Sequence, residues 1–324
     1  MKRYAFIISI AIVLESFASA GMHAQQPLSA NRVQAPATPT VSLDFQPEVS
    51  QLAATGLKLK EAVEASLDGT AKHLAAIFER TGTKDPTQRF EFRIFESDGK
   101  TSKTIFRRSD FFFSFGKNGG GKLNGTDING DGLKEIVVQS SSGGNCWGCN
   151  PTEIYRVSNH KAELIAAGPI QRIEDLNTDG IAELLVTDAR WEAYDDLSHA
   201  ASPSAVMIYA WKNGKYVYAS RDFAAFYTEE IARCRGLVEE GKSLITADDL
   251  SDEGYIGGAL SLAITFAHAG DTERGLKELE TILKSNAKSA AQTKHRAAIL
   301  EDFRSGASAK KLQEMKSGDS LPLG

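Results

Sequence analysis

Asp127-Ile-Asn-Gly-Asp131-Gly-Leu-Lys-Glu135 and, further along, Asp175-Leu-Asn-Thr-Asp179-Gly-Ile-Ala-Glu183 are the two stretches that decide how this chain is read. Both spell D-x-N-x-D-G-x-x-E. Both run directly into an apolar strand, Ile136-Val-Val138 in one case and Leu184-Leu-Val186 in the other. Oxygen-bearing side chains at alternate positions, with glycine after the third, suit a hard cation such as Ca²⁺. The chain must curl tightly for positions one, three and five to converge, and glycine accepts the backbone angles of that curl. Asp-Asn-Gly clusters also make turns without any metal. Here, however, three carboxylates crowd each loop and repel one another unless a cation neutralises them. Ca²⁺ is the expected cofactor.

An EF-hand is the rival for such loops, and it needs helices on both flanks and a bidentate glutamate at position twelve. Position twelve is Val138 in loop one and Val186 in loop two, and the flanks read as strands. The EF-hand is excluded.

Beyond each loop the chain repeats itself. Loop one leads to a strand, a polar excursion and the hairpin Glu153-Ile-Tyr-Arg-Val157 with Ala162-Glu-Leu-Ile165. Loop two leads to a strand, a second excursion and the hairpin Val206-Met-Ile-Tyr-Ala-Trp211 with Tyr216-Val-Tyr218, turned by Asn213-Gly214. The period, on the order of 45–50 residues, falls in the range of propeller blades. Upstream, Phe90-Glu-Phe92-Arg-Ile94 alternates, Asp98-Gly99 offers a turn, and residues 104–107 and 111–115 continue as strands. Helix formers dominate residues 52–80, with Asp68-Gly69 dividing two short helices and Asp68 or Thr70 capping the second. Beyond Asp222 the period is helical. Phe223, Tyr227, Ile231 and Cys234 share one face, a helical hairpin turns at His268-Ala-Gly270-Asp271, and a last helix covers about residues 290–303. The expected fold is α+β, an antiparallel β-domain of propeller-blade-like repeats over residues 85–220 followed by an α-helical domain over 221–324. A helical segment is expected over 44–84.

The loops and their hairpins resemble the FG-GAP or VCBS-type repeats of integrin-alpha-like and other extracellular proteins, with Phe113-Ser-Phe115-Gly116 adding to the likeness. In that family a loop between consecutive strands of a propeller blade binds calcium. The resemblance implies ligation by the side chains of Asp127, Asn129, Asp131 and Glu135 and the Leu133 carbonyl. In loop two it implies Asp175, Asn177, Asp179 and Glu183 with the Ile181 carbonyl. The chain departs from the family by carrying Glu at position nine, by Thr178 where loop one has Gly130, and by too few repeats for a closed propeller. Leu262, Ala263, Phe266, Gly270, Gly275, Leu279 and Ile282 are similar in placement to one tetratricopeptide-type hairpin.

Lys2 and Arg3 before an apolar run, with Ala18-Ser-Ala20 and a second cleavage candidate at Ala24, read as a signal peptide over residues 1–24. A Gln-, Pro- and Ala-rich stretch over 25–43 reads as a disordered linker. The protein is expected to be exported, periplasmic or secreted, with no membrane span. A net charge of −5 on 324 residues argues against nucleic-acid binding. In an exported chain, Cys146 and Cys149 are expected to form a local disulfide, with a thiol–disulfide redox protein as the alternative. Cys234 reads as a buried thiol. Gly116-Lys-Asn-Gly-Gly-Gly-Lys-Leu123 fails as a P-loop, because leucine stands where the Mg²⁺-binding hydroxyl belongs. None of the six histidines lies in an H-E-x-x-H motif, and there is no G-x-S-x-G. A non-enzymatic function is therefore expected, with a protein or carbohydrate ligand met by the excursions 141–150 and 189–203.

Overall fold

Strict alternation of Leu57 and Leu59 with Lys58 and Lys60 marks their segment as a strand, buried on one face and exposed on the other. The computed structural model describes residues 39–116, 120–247, 252–314 and 318–321. The expected signal peptide, most of the expected linker and part of the glycine-rich stretch lie outside the described residues. Sheet one comprises β1 (Leu57–Ala65), β2 (Lys72–Arg80), β3 (Phe90–Ser97) and β4 (Ser102–Asp110). Sheet two comprises β5 (Phe112–Ser114), β6 (Glu135–Ser141), β7 (Thr152–Ser158) and β8 (Lys161–Gly168). Sheet three comprises β9 (Ile170–Glu174), β10 (Glu183–Thr187), β11 (Val206–Lys212) and β12 (Lys215–Tyr218). Each is a four-stranded antiparallel meander in chain order. The helices are α1 (Gln46–Ala54), α2 (Gly120–Leu123), α3 (Ala224–Ser243), α4 (Glu253–His268), α5 (Thr272–Leu283), α6 (Ala290–Ser305) and α7 (Ala307–Glu314). The fold is α+β, and no closed sheet is present among the described residues.

Two expectations need correction here. Residues 44–84 are not a helical segment. Only α1 is helical, and the division at Asp68-Gly69 is a hairpin turn between β1 and β2. Asp68 Oδ1 accepts the Thr70 and Ala71 N–H groups at 2.9 and 3.0 Å, and Gly69 takes φ +76°. β2 lies between β1 and β3 and buries Leu74 to Phe78 on both faces, so its unbroken apolar run imitated a helix. The linker also ends earlier than residue 43, because Val41 is buried in the cluster of Phe45, Leu57, Leu74 and Phe78.

Strand alternation stacks the sheets. Ile136 and Val138 of β6, with Tyr155 and Val157 of β7, join Ala75, Ile77, Phe92 and Ile94 of sheet one. The intervening Val137 and Ile154 face the other way and join Leu184, Val186, Met207 and Tyr209 of sheet three. A one-residue slip in β6 would exchange these two faces, so the register is fixed from both sides. The described residues form one compact unit.

The excursion after β10 is absorbed by the helices. Trp191, Leu197, Ala201 and Ala205 are buried with Ile256, Leu260, Ile264, Leu279, Ile299 and Phe303. Trp191, Leu197 and Ala201 thus dock residues 189–203 on the helices, while Ala193, Asp195, Asp196, Ser198, His199 and Ala200 remain exposed, so only part of the excursion is the displayed surface expected of it. Three short 3₁₀ turns carry it, and Trp191 stacks on Phe303 with ring centroids 5.2 Å apart. The approach is so close that a Cβ at Gly257 would overlap the Ala201 carbonyl oxygen.

The helical hairpin expected around Gly270 is present as α4 and α5, and the last expected helix is α6. Sheet and helices are pinned by Asp188, which is fully buried. Its carboxylate accepts Arg190 Nε and Nη2 at 2.7 Å each, Trp191 Nε1 at 2.9 Å and His268 Nε2 at 3.1 Å. With Nε2 donating, His268 Nδ1 is left to accept the Tyr218 hydroxyl at 2.9 Å. Burial alone would raise the Asp188 pKa, but the Arg190 guanidinium and the His268 ring hold it well below the usual carboxylate range. A depressed folded-state pKa gives stability that is present above the unfolded value near ~3.9 and is lost as pH falls through the window beneath it. Asp188→Asn is accordingly expected to cost about 3 kcal/mol in urea unfolding at neutral pH, because it leaves the half-buried Arg190 beside an uncharged partner. Wild type and variant should converge on acidification, and a constant gap down to acid pH would contradict this role.

Candidate metal centre

Each acidic loop joins the first strand of its sheet to the second, loop one between β5 and β6 and loop two between β9 and β10. The two are wired alike. Asp127 Oδ1 accepts Gly130 N–H at 2.8 Å and its Oδ2 accepts Gly132 N–H at 2.9 Å. Asp175 Oδ1 accepts Asp179 N–H at 3.2 Å and its Oδ2 accepts Gly180 N–H at 2.8 Å. Asn129 and Asn177 each accept the N–H two residues on at 3.0 Å. Asp131 and Asp179 do the same for Leu133 and Ile181 at 2.9 and 2.8 Å. Positions one, three, five and seven of both loops are thus locked into one curl, in which Gly130 takes φ +72° and Thr178 φ +62°. A β-branched residue is strained there and glycine is not, so loop one is the better formed.

The ninth residues close the curl from inside. Glu135 is fully buried; its Oε2 accepts Ile128 N–H at 2.9 Å and its Oε1 accepts the Asn129 amide at 3.0 Å. Glu183 is 2% exposed and accepts Leu176 N–H at 2.9 Å. Burial pushes the Glu135 carboxyl up to about 8, with Asp131 and Asp127 adding to the rise. Glu183 is raised for the same reasons, by burial and then by Asp179 and Asp175. These glutamates brace their loops, and a cation nearby would restore their charge.

An all-oxygen donor set fits a hard cation, and in loop one it converges. One carboxylate oxygen from each of Asp127, Asp131 and Glu135 lies within 4.8 Å of the others, whereas the matching three of loop two do not form such a group. In loop two the Asn177 amide turns onto Asp179 Oδ2 at 3.0 Å instead of onto the glutamate. The residues present therefore fit Ca²⁺ best in loop one.

Three features escape the sequence. The first is a shortened third copy of the loop in sheet one. Leu67 N–H reaches His73 Nδ1 at 3.3 Å, as Ile128 N–H reaches Glu135 and Leu176 N–H reaches Glu183. Lys134 N–H donates to the Leu67 carbonyl at 2.8 Å, and Ala182 N–H donates to the Ile128 carbonyl at 2.7 Å. The residue before each buried glutamate is thus tied to the loop of the preceding sheet. The Asp-Gly pair at 68–69 is the one trace of this in the sequence. The second feature is Arg156, paired with Glu135 across the β6–β7 ladder. Its guanidinium contacts Asp131 Oδ2 at 2.8 Å and Glu163 at 2.9 Å and lies over the Trp211 ring. The third is Tyr216, whose buried hydroxyl has no hydrogen-bond partner and whose pKa is raised by burial and then by Glu135 and Glu183.

Cys146 and Cys149 are joined as a disulfide. Cys146 precedes a single 3₁₀ turn, Trp147–Cys149, and not an α-helix whose dipole would favour a thiolate. Trp147 N–H donates to Glu192 Oε1 at 2.7 Å, which ties this loop to the docking segment. Cys234 is a buried free thiol, raised by burial. No helix among the described residues is long and apolar enough to cross a membrane.

No protein-family model matches the chain, and a search of curated proteins finds none that matches it.

Because Asp127 and Asp175 each accept two backbone N–H groups, Asp127→Ala and Asp175→Ala are expected to destabilise the protein by about 1–2 kcal/mol even in chelator. Urea unfolding in EDTA measures it, and a loss appearing only when calcium is added would show that the curl depends on the ion.

Proposed function

We propose that this is an exported, non-enzymatic calcium-binding protein whose β-repeats resemble FG-GAP or VCBS blades and serve as an interaction module. The observation that carries the reading is the shared wiring of the two D-x-N-x-D-G-x-x-E loops, each at the same corner of a four-stranded meander. In this reading Ca²⁺ is held by Asp127, Asn129, Asp131, the Leu133 carbonyl and Glu135, and in loop two by their counterparts. The ion neutralises the crowded carboxylates and fixes the loop against its neighbour, since the Ile128 carbonyl and Ala182 N–H bind the loops together. The sheets would then act as a short open stack of blades, closed off by helices.

The ligand-facing surface is assigned to the disulfide loop and the cleft beside it. This cleft, about 440 Å³, is lined by Trp147, His199, Arg233, Glu240 and Leu244 and floored by glycines of α3 and α4. An indole beside a cation and a carboxylate offers stacking and hydrogen bonding to a sugar ring or a peptide.

Calorimetric titration of the full chain with Ca²⁺ tests the metal. Affinity near the 10⁻⁴–10⁻³ M typical of extracellular modules is expected, with stabilisation of about 1–3 kcal/mol at saturating ion. Identical melting temperatures in calcium and in chelator would remove the basis of the proposal. Arg156 acts as a built-in competitor for loop one, whereas Ala210, one step beyond the Leu184–Tyr209 pair, holds that place beside loop two. Arg156→Ala in an Asp175→Ala background should therefore tighten calcium binding at loop one by roughly threefold to tenfold.

A further inference from the structure

A separate group of side chains gathers where sheet one meets sheet two. Asp68 lies in the β1–β2 turn, and His73 on β2 and Glu96 on β3 are direct cross-strand partners. His160 reaches Glu96 from the turn between β7 and β8 in the neighbouring sheet. One carboxylate oxygen of Asp68, one of Glu96 and one ring nitrogen of His73 lie within 4.8 Å of one another.

The His73 side chain is fully buried, and its Nε2 has no hydrogen-bond partner. Leaving a buried polar atom unpaired costs about 1–3 kcal/mol. The atom it faces is Glu96 Oε2 at 3.6 Å. That is too long for a hydrogen bond. It is close to the roughly 3.5 Å that separates two donors each about 2.1 Å from one tetrahedral zinc ion.

The rest of the ring is arranged to match. Nδ1 accepts the Leu67 N–H at a long 3.3 Å. While Nδ1 accepts that N–H the ring proton sits on Nε2, so an ion bound at Nε2 moves the proton to Nδ1, gives up the long Leu67 contact and leaves Nδ1–H to donate to a backbone carbonyl. Backbone carbonyls commonly hold metal-bound histidines in this tautomer. Glu96 is already surrounded by cationic or basic groups, with His160 Nδ1 at 2.8 and 2.9 Å from its two oxygens and Lys103 Nζ at 3.1 Å. Both partners are largely exposed, at 66% and 61%, so Lys103 can leave and His160 can turn toward an ion without disturbing the core.

We propose that Asp68, His73, Glu96 and His160 form a second metal site, for a borderline divalent ion of the zinc class, that clamps sheet one to sheet two. Two imidazoles with two carboxylates suit zinc, whereas Ca²⁺ takes oxygen ligands. The site occupies the place in sheet one that Glu135 and Glu183 hold in the other sheets, and exchange of glutamate for histidine changes its metal preference. Four protein ligands make it a structural site with no open position for chemistry.

The experiment is calorimetric titration of the chelator-stripped full chain with Zn²⁺ in millimolar Ca²⁺, so that the acidic loops hold the ion they prefer. One tight equivalent of Zn²⁺ is expected. It should be weakened at least tenfold by His160→Ala and at least a hundredfold by Glu96→Gln, and left unchanged by Asp127→Ala with Asp175→Ala. His160 is exposed, so its variant remains informative even if changes at His73 or Glu96 impair folding. Zinc should also move the His73 Nε2 resonance, and not Nδ1, in ¹⁵N spectra. No binding below millimolar Zn²⁺, equal affinity in wild type and both variants, or loss in the Asp127→Ala/Asp175→Ala protein would overturn the site, whatever calcium does.

Discussion

The stack of sheets rests on one repeated interaction, a buried side chain that accepts the second backbone N–H of its own loop. Glu135 does this for Ile128, Glu183 for Leu176, and His73 for Leu67. The bond turns each loop inward, and the loop's carbonyl can then receive the N–H that precedes the next buried glutamate. A backbone ladder therefore runs from sheet to sheet at one corner, perpendicular in purpose to the ladders within each sheet. Hydrophobic contact between sheets is not directional, and it would allow them to slide. The corner bonds remove that freedom, so the apolar faces of β6 and β7 meet the correct partners on both sides. The position of the acids follows from this. They are buried because they brace, and burial is what raises their pKa and invites a positive charge.

Neutralisation of that corner takes a different form in each sheet. Sheet two brings an arginine onto the loop, since Arg156 contacts Asp131 while its own position is held by Glu163 and the Trp211 ring. Sheet three has alanine at that position and a less convergent carboxylate set. Sheet one has no acidic loop and substitutes an imidazole facing Glu96. One structural corner has thus been given three electrostatic solutions. The differences lie in side chains carried by neighbouring strands, whereas the loop backbone keeps its form.

Much of the β-part was legible because its signals are local. The D-x-N-x-D-G-x-x-E pattern fixes a curl through side chain to backbone bonds within nine residues, and Asn213-Gly214 and Asp98-Gly99 mark hairpins in the same local way. The cysteine pair closes over a separation of 3 residues, and it too was readable. Failures came where burial is set at long range. β2 is apolar on both faces because strands flank it, sheet two covers one face and α1 with Val41 and Phe45 covers the other, and a run of that length carries no period by which to tell strand from helix. The excursion 189–203 was expected to be displayed, which holds for Asp195, Asp196 and His199 and fails for Trp191, Leu197 and Ala201. The burial of those three depends on α4 and α6, which lie far along the chain. Arg156 sits on a strand whose alternation is unremarkable, and only the cross-strand register places it beside Asp131.

The end of the stack explains why the helices are needed. A sheet that ends a stack leaves an apolar face and an open edge, and both invite association. In sheet three Leu185 and Ile208 point away from sheet two and are nevertheless fully buried, so that face is covered. The cover is anchored by polar contacts: Tyr227 of α3 donates to the Val206 carbonyl at 2.8 Å, and His268 of α4 links Tyr218 to Asp188. The open edge at β12 is closed by residues 318–321. Tyr218 N–H donates to the Asp319 carbonyl at 2.7 Å, Leu321 N–H donates to the Tyr216 carbonyl at 3.0 Å, and Leu321 packs into the core between sheets two and three. The helical part is thus the termination of the β-stack. Its glycines are spaced for close approach, since a Cβ at Gly257 would overlap the docking segment and one at Gly275 would stand 2.6 Å from the Ala263 carbonyl oxygen. Small residues there let α4 lie tightly against both the excursion and α5. A repeat of this kind can therefore stop after three sheets, provided that something other than a fourth sheet supplies an apolar face and a strand edge to meet the last one.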